Sequence, residues 1–184
     1  MRKILAIIFI NILLTGYFPS ITSACSCAEL PSVEEELERS QAVFSGKVVD
    51  VREKQSLKGN RTKSVLFDVT NTWKGVKQSQ IIITTGLGGG DCGIDFKEGQ
   101  DYLVYSHEST MYGAESLVTI ICNRTNKLSA LQGDLEILGE GKSPIEEVDL
   151  SGKHDGNQFY MWVALALAIG VVFILVMKRR KKQN

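Results

Sequence analysis

The sequence predicts an all-β domain followed by a single transmembrane helix. Three observations carry this reading: five short alternating or β-branched segments, turn residues between each pair of them, and a long uncharged apolar run near the carboxy-terminus. Five short strands with little helix between them argue for a sandwich or a small closed barrel.

The chain has 184 residues. It begins with Arg2-Lys3, an apolar run and the small residues Thr22-Ser23-Ala24, the three-part layout of a secretory signal peptide over residues 1–24. Cleavage after Ala24 would make Cys25 the first residue of the mature chain. The same T-S-A-C stretch loosely fits a lipoprotein processing site, in which the Cys25 thiol would be acylated. Thr22 stands where such sites usually carry Leu, which favours plain cleavage.

Ser32-Val33-Glu34-Glu35 is a capping-box pattern and predicts a short helix over Val33–Arg39 with Leu37 facing inward. Glu34-Glu35-Glu36 reads as a solvated face of that helix, favourable at its N-terminus. Strands are predicted over 42–51, 65–73, 80–85, 102–105 and 117–121. In the second, Asp68 and Thr70 are expected to point outward. The separators Lys58-Gly59-Asn60, Lys74-Gly75, Gly86 to Gly90, Glu98-Gly99 and Tyr112-Gly113 carry turn chemistry. A second short helical segment is expected within 128–138, which completes a domain of residues 25–138. Residues 139–158 are polar, with Pro144 and several glycines and acids, and read as a stalk without a core of its own.

Residues 159–177, F-Y-M-W-V-A-L-A-L-A-I-G-V-V-F-I-L-V-M, are uncharged and long enough to cross a hydrocarbon core of about 30 Å. Tyr160 and Trp162 lie near one end, and Lys178-Arg179-Arg180-Lys181-Lys182 follow at once. This layout predicts a single-pass protein of the cell membrane, with the tail 178–184 cytoplasmic and Cys25 outside. The chain has 21 basic and 21 acidic residues, yet two basic residues lie in the leader and five in the tail. Residues 25–158 therefore carry 14 basic against 21 acidic groups, a formal charge of −7. Such a domain repels phosphate, so nucleic acid is not an expected partner.

Four cysteines lie in the domain, Cys25, Cys27, Cys92 and Cys122, and none lies elsewhere. An even number outside the cytoplasm predicts two disulfides, for which three connectivities exist. Cys25 and Cys27 are poorly placed to join each other, because residues two apart in an extended chain lie about 6–7 Å apart at Cα. Each then reaches one of the distant pair, and two such staples stabilise a small β-domain by about 3–4 kcal/mol each. A four-thiolate zinc site is the alternative, although it lacks the second C-x₂-C of zinc knuckles.

C-S-C-A-E-L-P at a processed amino-terminus, then A-V-F-S-G-K-V-V-D-V, D-C-G-I-D-F-K-E-G-Q-D-Y-L-V-Y and I-I-C-N-R-T, resembles the amino-terminal domain of the tissue inhibitors of metalloproteinases and the wider netrin-like modules. The resemblance covers residues 25–138 and implies a five-stranded OB-fold-like barrel with the pairing Cys25–Cys92 and Cys27–Cys122. It also implies a function: the Cys25 α-amine and carbonyl would bind the zinc of a partner metalloproteinase. Carried over by position, the binding ridge would be Cys25, Ser26, Cys27 and Ala28 with the neighbouring Gly90, Asp91 and Cys92. Pro31 comes later than the proline usual in the animal inhibitors, and their disulfide-rich carboxy-terminal domain is absent. The other reading the resemblance allows is a structural or receptor-type module that binds a surface protein without zinc chemistry.

Other signals are weak. Gly88 to Gly93 contains G-x-G-x-x-G, but a strand rather than a helix follows, so a close-packed loop beside Cys92 is expected instead of a phosphate site. His107 and His154 are the only histidines, with no H-E-x-x-H and no G-x-S-x-G. His107 reads as a surface residue and His154 as part of the stalk. Asn60-Arg61-Thr62 and Asn123-Arg124-Thr125 are sequons that read as chance occurrences. The sequence therefore predicts no enzyme and no resident cofactor.

Overall fold

The computed structural model describes residues 25–155 apart from Ala28, 56–60 and Gly89, together with a few positions between 162 and 169. The predicted signal peptide, most of the predicted span and the basic tail lie outside the described residues. Among the described residues no helix is long and apolar enough to cross a membrane.

The domain is mostly β. Helix α1 (Val33–Arg39) is followed by β1 (Ala42–Gln55), β2 (Arg61–Lys74), β3 (Gln80–Thr85), β4 (Asp101–Ser109), β5 (Ser116–Val118) and β6 (Asn126–Lys127). A 3₁₀ turn (Leu128–Ala130), α2 (Gln132–Leu138) and α3 (Ser151–Asp155) complete the chain order. Strands β1, β2, β3, β5 and β4 pair in that order, and β4 returns to β1, closing a ring of five. All pairings are antiparallel except the short β3–β5 contact, Thr84 against Val118. Closure leaves β1 paired along both edges over residues 43–47, with β2 on one side and β4 on the other.

This double pairing needs a strongly bent β1, and three register shifts against β2 supply the bend. At one of them Gly46 lies so close to β2 that a Cβ would stand 2.5 Å from the Asp68 carbonyl oxygen. Only glycine permits that approach.

Two apolar clusters explain the continuous hydrophobic stretches of the sequence. Inside the ring Phe44, Phe67, Phe96 and Tyr102 pack edge to face, with centroid separations of 5.4 Å, 5.3 Å and 4.7 Å along the series. Outside it Val43, Leu103 and Tyr105 are covered by Leu37 of α1 and by Leu131 and Leu135 at α2. Tyr102-Leu103-Val104-Tyr105 is therefore apolar at every position because both faces of β4 are buried. Asp68 and Thr70 are exposed as expected, and the capping box of α1 is complete, with Glu35 N–H donating to Ser32 Oγ and Ser32 N–H to Glu35 Oε2.

The strand expected over 117–121 stops at Val118. Asn123 Oδ1 accepts from the Ile120 N–H, and the Ile121 N–H donates to the Cys92 carbonyl, so the chain turns out of the sheet toward the second bridge. Thr119 stays fully buried in that turn.

The segment expected as a free stalk is docked over its described part, residues 139–155. Thr72 and Lys142 exchange backbone bonds of 2.8 and 2.9 Å, Ser79 N–H donates to the Glu146 carbonyl, and Leu150 N–H donates to Gln80 Oε1. Polar composition concealed this contact, because the strap is held by backbone and side-chain hydrogen bonds more than by apolar burial. His154 closes it. The ring is 1 % exposed, with Nδ1 3.1 Å from Asp50 Oδ2 and Nε2 3.0 Å from the Ser64 carbonyl.

Removing His154 leaves Asp50 and a buried carbonyl without this donor. His154→Ala is expected to lower the unfolding free energy by about 1–3 kcal/mol and to speed tryptic cleavage after Lys153 in the folded protein. An unchanged cleavage rate would show that the clasp does not hold the strap.

Candidate functional site

The amino-terminal segment carries little regular structure, so its position depends on covalent and polar ties. Two disulfides supply the first. Cys25 joins Cys92 across a separation of 67 residues and Cys27 joins Cys122 across 95, with Cα–Cα distances of 5.1 and 5.3 Å. No cysteine is free among the described residues. The expectation of two long staples from a C-x-C is met, with the pairing that the resemblance implied.

Each anchor sits on a loop with its own internal bracing. Cys92 belongs to the glycine-rich loop after β3, where the Asp91 carboxylate accepts from the N–H groups of Leu87, Gly88 and Gly93 at 2.6–3.1 Å. Burial raises the Asp91 pKa, but those three donors outweigh it and hold the carboxyl below its ordinary value of 3.8. Gly86 and Gly93 meet face to face: a Cβ on Gly93 would lie 2.2 Å from the Gly86 carbonyl carbon. The loop is thus the close-packed turn expected from the sequence, and Asp91 is its internal brace. Tyr112 O–H donates to the Asp91 carbonyl at 2.7 Å and ties the loop to the β4–β5 connection. Cys92 itself has φ +61°, a left-handed conformation uncommon for a side chain of its type.

The other anchor, Cys122, precedes Asn123-Arg124-Thr125, and all three of these residues are structural. Asn123 Nδ2 donates to Glu36 Oε1 at 2.9 Å. Arg124 grips Asp134 of α2 through Nε at 2.9 Å and a second nitrogen at 2.6 Å, and its remaining nitrogen donates to the Pro31 carbonyl at 2.9 Å. Thr125 Oγ1 accepts from the Tyr105 N–H at 2.8 Å. The sequon asparagine is 7 % exposed and its amide is engaged, so the folded domain offers no acceptor there. Asn60 lies outside the described residues.

Beneath the segment lies a buried acid. Glu36 is fully buried, which corrects the reading of 34–36 as a uniformly solvated face. It accepts from Arg39 Nε at 2.6 Å, from Asn123 and from His107 Nε2 at 3.0 Å, while His107 Nδ1 donates to the Arg39 carbonyl at 3.1 Å. His107 is therefore a link between α1 and β4 and no idle surface residue. Burial raises the Glu36 pKa, yet the bonds from His107 and Asn123 and the charge of Arg39 bring it below the ordinary 4.5.

Between these ties the predicted ridge is open to solvent. Ser26 and Gly90 are exposed, and Cys25, Cys27, Asp91 and Cys92 are half-buried. Ala28 lies outside the described residues. The Cys25–Cys92 bridge joins the amino-terminal stretch to the Asp91–Cys92 loop.

No family model matches this chain, and no curated protein matches it.

The sequence reading missed Glu36, His107, Asn123, Arg124 and Asp134, which position the ridge without belonging to it. For Glu36 there was no signal, because only the fold brings Asn123 and His107 to it. Chemically the described part of the ridge offers the exposed Ser26 hydroxyl beside the Asp91 carboxylate, whose oxygens are engaged by the N–H groups of its own loop.

Proposed function

We propose that the chain is a netrin-like, OB-type module that blocks a zinc metalloproteinase through the amino-terminal Cys25. In this reading residues 1–24 are removed, residues 159–177 anchor the protein in the cell membrane with the tail 178–184 inside, and the domain faces outward. The observation that carries it is the double staple: a C-x-C fastened two residues apart to two separate loops, with Ser26 exposed between the bridges.

The chemistry follows from the residue types. An α-amine titrates near 7.7–8.0 or so, and zinc competes with its proton for the lone pair. Catalytic zinc accepts nitrogen and oxygen donors and keeps one position open, which the Cys25 amine and carbonyl would fill together. The bridges hold both donors before docking, so little ordering entropy is lost on binding. Ser26 and the Gly90–Asp91 loop would meet the walls of the partner's cleft.

The test is a titration of the processed protein against a panel of zinc endopeptidases, alongside a variant with one alanine added before Cys25. The mature protein is expected to inhibit at least one enzyme stoichiometrically, and the extended variant to lose that inhibition by on the order of a hundredfold or more. Inhibition that survives the extension would rule out the amine. Absence of inhibition across the panel would favour a module that binds a surface protein without touching a metal.

A further inference from the structure

The two bridges are not separate. Cys25 Sγ lies 4.0 Å from Cys122 Sγ, although the two belong to different disulfides. The sulfurs of Cys25, Cys27 and Cys122 all lie within 4.8 Å of one another. The fourth, Cys92, is covalently attached to one of the three. Three sulfurs from two remote parts of the chain thus meet in a half-buried cluster, and the Cys92 sulfur adjoins it through its bond to Cys25. A tetrahedral zinc tetrathiolate has sulfur–sulfur edges of about 3.8 Å, from Zn–S distances near 2.3 Å. The Cys25–Cys122 spacing of 4.0 Å is already close to such an edge, and opening each disulfide lets its two sulfurs separate toward the same distance.

We propose that the reduced amino-terminal cluster is a metal site, which binds one Zn²⁺ through Cys25, Cys27, Cys92 and Cys122. Reduction of each bridge consumes two electrons and two protons and yields two thiols, with a dithiol as the donor. Zinc then displaces four protons from the four thiols. The resulting thiolate set is soft and selects zinc over the hard, oxygen-seeking cations. Disulfide and metal are alternative occupants of the same four atoms, so bound zinc holds the amino-terminal segment in its native place before oxidation and excludes oxidation while it remains. This proposal stands independently of protease inhibition, which concerns the oxidised chain and a partner's metal.

The experiment uses the full chain, reduced with a phosphine under argon and titrated with Co²⁺. One Co²⁺ per chain is expected, with thiolate-to-cobalt charge-transfer bands and the d–d bands of a tetrahedral site, displaced in full by Zn²⁺. Zinc is expected to protect all four thiols from alkylation, and the unreduced chain to bind nothing. Cys92→Ser and Cys122→Ser should each shift the d–d bands and weaken binding by on the order of a hundredfold. Binding that is equally tight in concentrated urea, or unchanged in either variant, would mean that the C-x-C pair alone takes the metal and would overturn the proposal. So would two chains per metal, or no thiolate bands at all.

Discussion

Replacing Cys27 and Cys122 together by serine is expected to lower the unfolding free energy by about 2–5 kcal/mol. The bridge closes a loop between residues 95 apart, close to the largest this domain could contain, so its removal returns much conformational freedom to the unfolded chain. The ring of strands does not depend on it for pairing, and the midpoint of urea unfolding should fall without loss of β-sheet signal in the native baseline. Arg124 still holds the Pro31 carbonyl, so the loosening concentrates in residues 26–30. Inhibition should weaken more than stability alone explains, since the second point of attachment beside the Cys25 amine is gone. A midpoint equal to that of the native chain would show that this bridge contributes nothing to the folded state.

The second large effect is expected at Glu36. Glu36→Ala removes the acceptor shared by Arg39, His107 and Asn123, and leaves the buried Asn123 amide and one half-buried His107 nitrogen without this partner. A loss of about 2–4 kcal/mol is expected, at the lower part of the range for broken buried pairs because Arg39 is half exposed. Glu36→Gln keeps the shape and part of the bonding and should cost about half as much. The pH dependence follows from the direction of the shift. The folded Glu36 titrates below 4.5, so the unfolded chain binds its proton first as pH falls. The stability lent by Glu36 is therefore whole above about 4.5 and is lost as pH drops through the lower, folded value. Denaturant midpoints measured from neutral pH to pH 3 should fall less steeply for Glu36→Gln than for the native chain. Parallel curves would assign the acid sensitivity to other carboxylates, of which Asp91 is the next candidate.

Much of the architecture was legible because local and global preferences agree. Val33–Arg39 and Gln80–Thr85 form over the residues that capping and β-branching indicate. Gly86 to Gly93 forms a packed loop because a following strand, and no helix, forbids the phosphate-binding alternative. The bridges followed from counting and geometry only as far as two long staples, and the resemblance supplied the pairing. What stayed hidden shares one physical cause: polar residues buried by partners remote in sequence. Glu36 looks solvated beside Glu34 and Glu35 until Asn123 and His107 arrive from 87 and 71 residues away. His154 looks like linker until Asp50 and the Ser64 carbonyl meet its ring. Neither periodicity nor composition encodes such meetings, since both describe apolar faces.

The proposed function requires that the working protein begin at Cys25 with a bare amine held by two disulfides. Intact mass, amino-terminal sequencing and non-reducing peptide mapping of the protein purified from the cells that make it test this in one preparation. The expected result is a first residue of Cys25, an unmodified α-amino group, and two linked peptide pairs, Cys25 with Cys92 and Cys27 with Cys122. A retained leader, an acyl group on Cys25, or free thiols in the mature chain would contradict it.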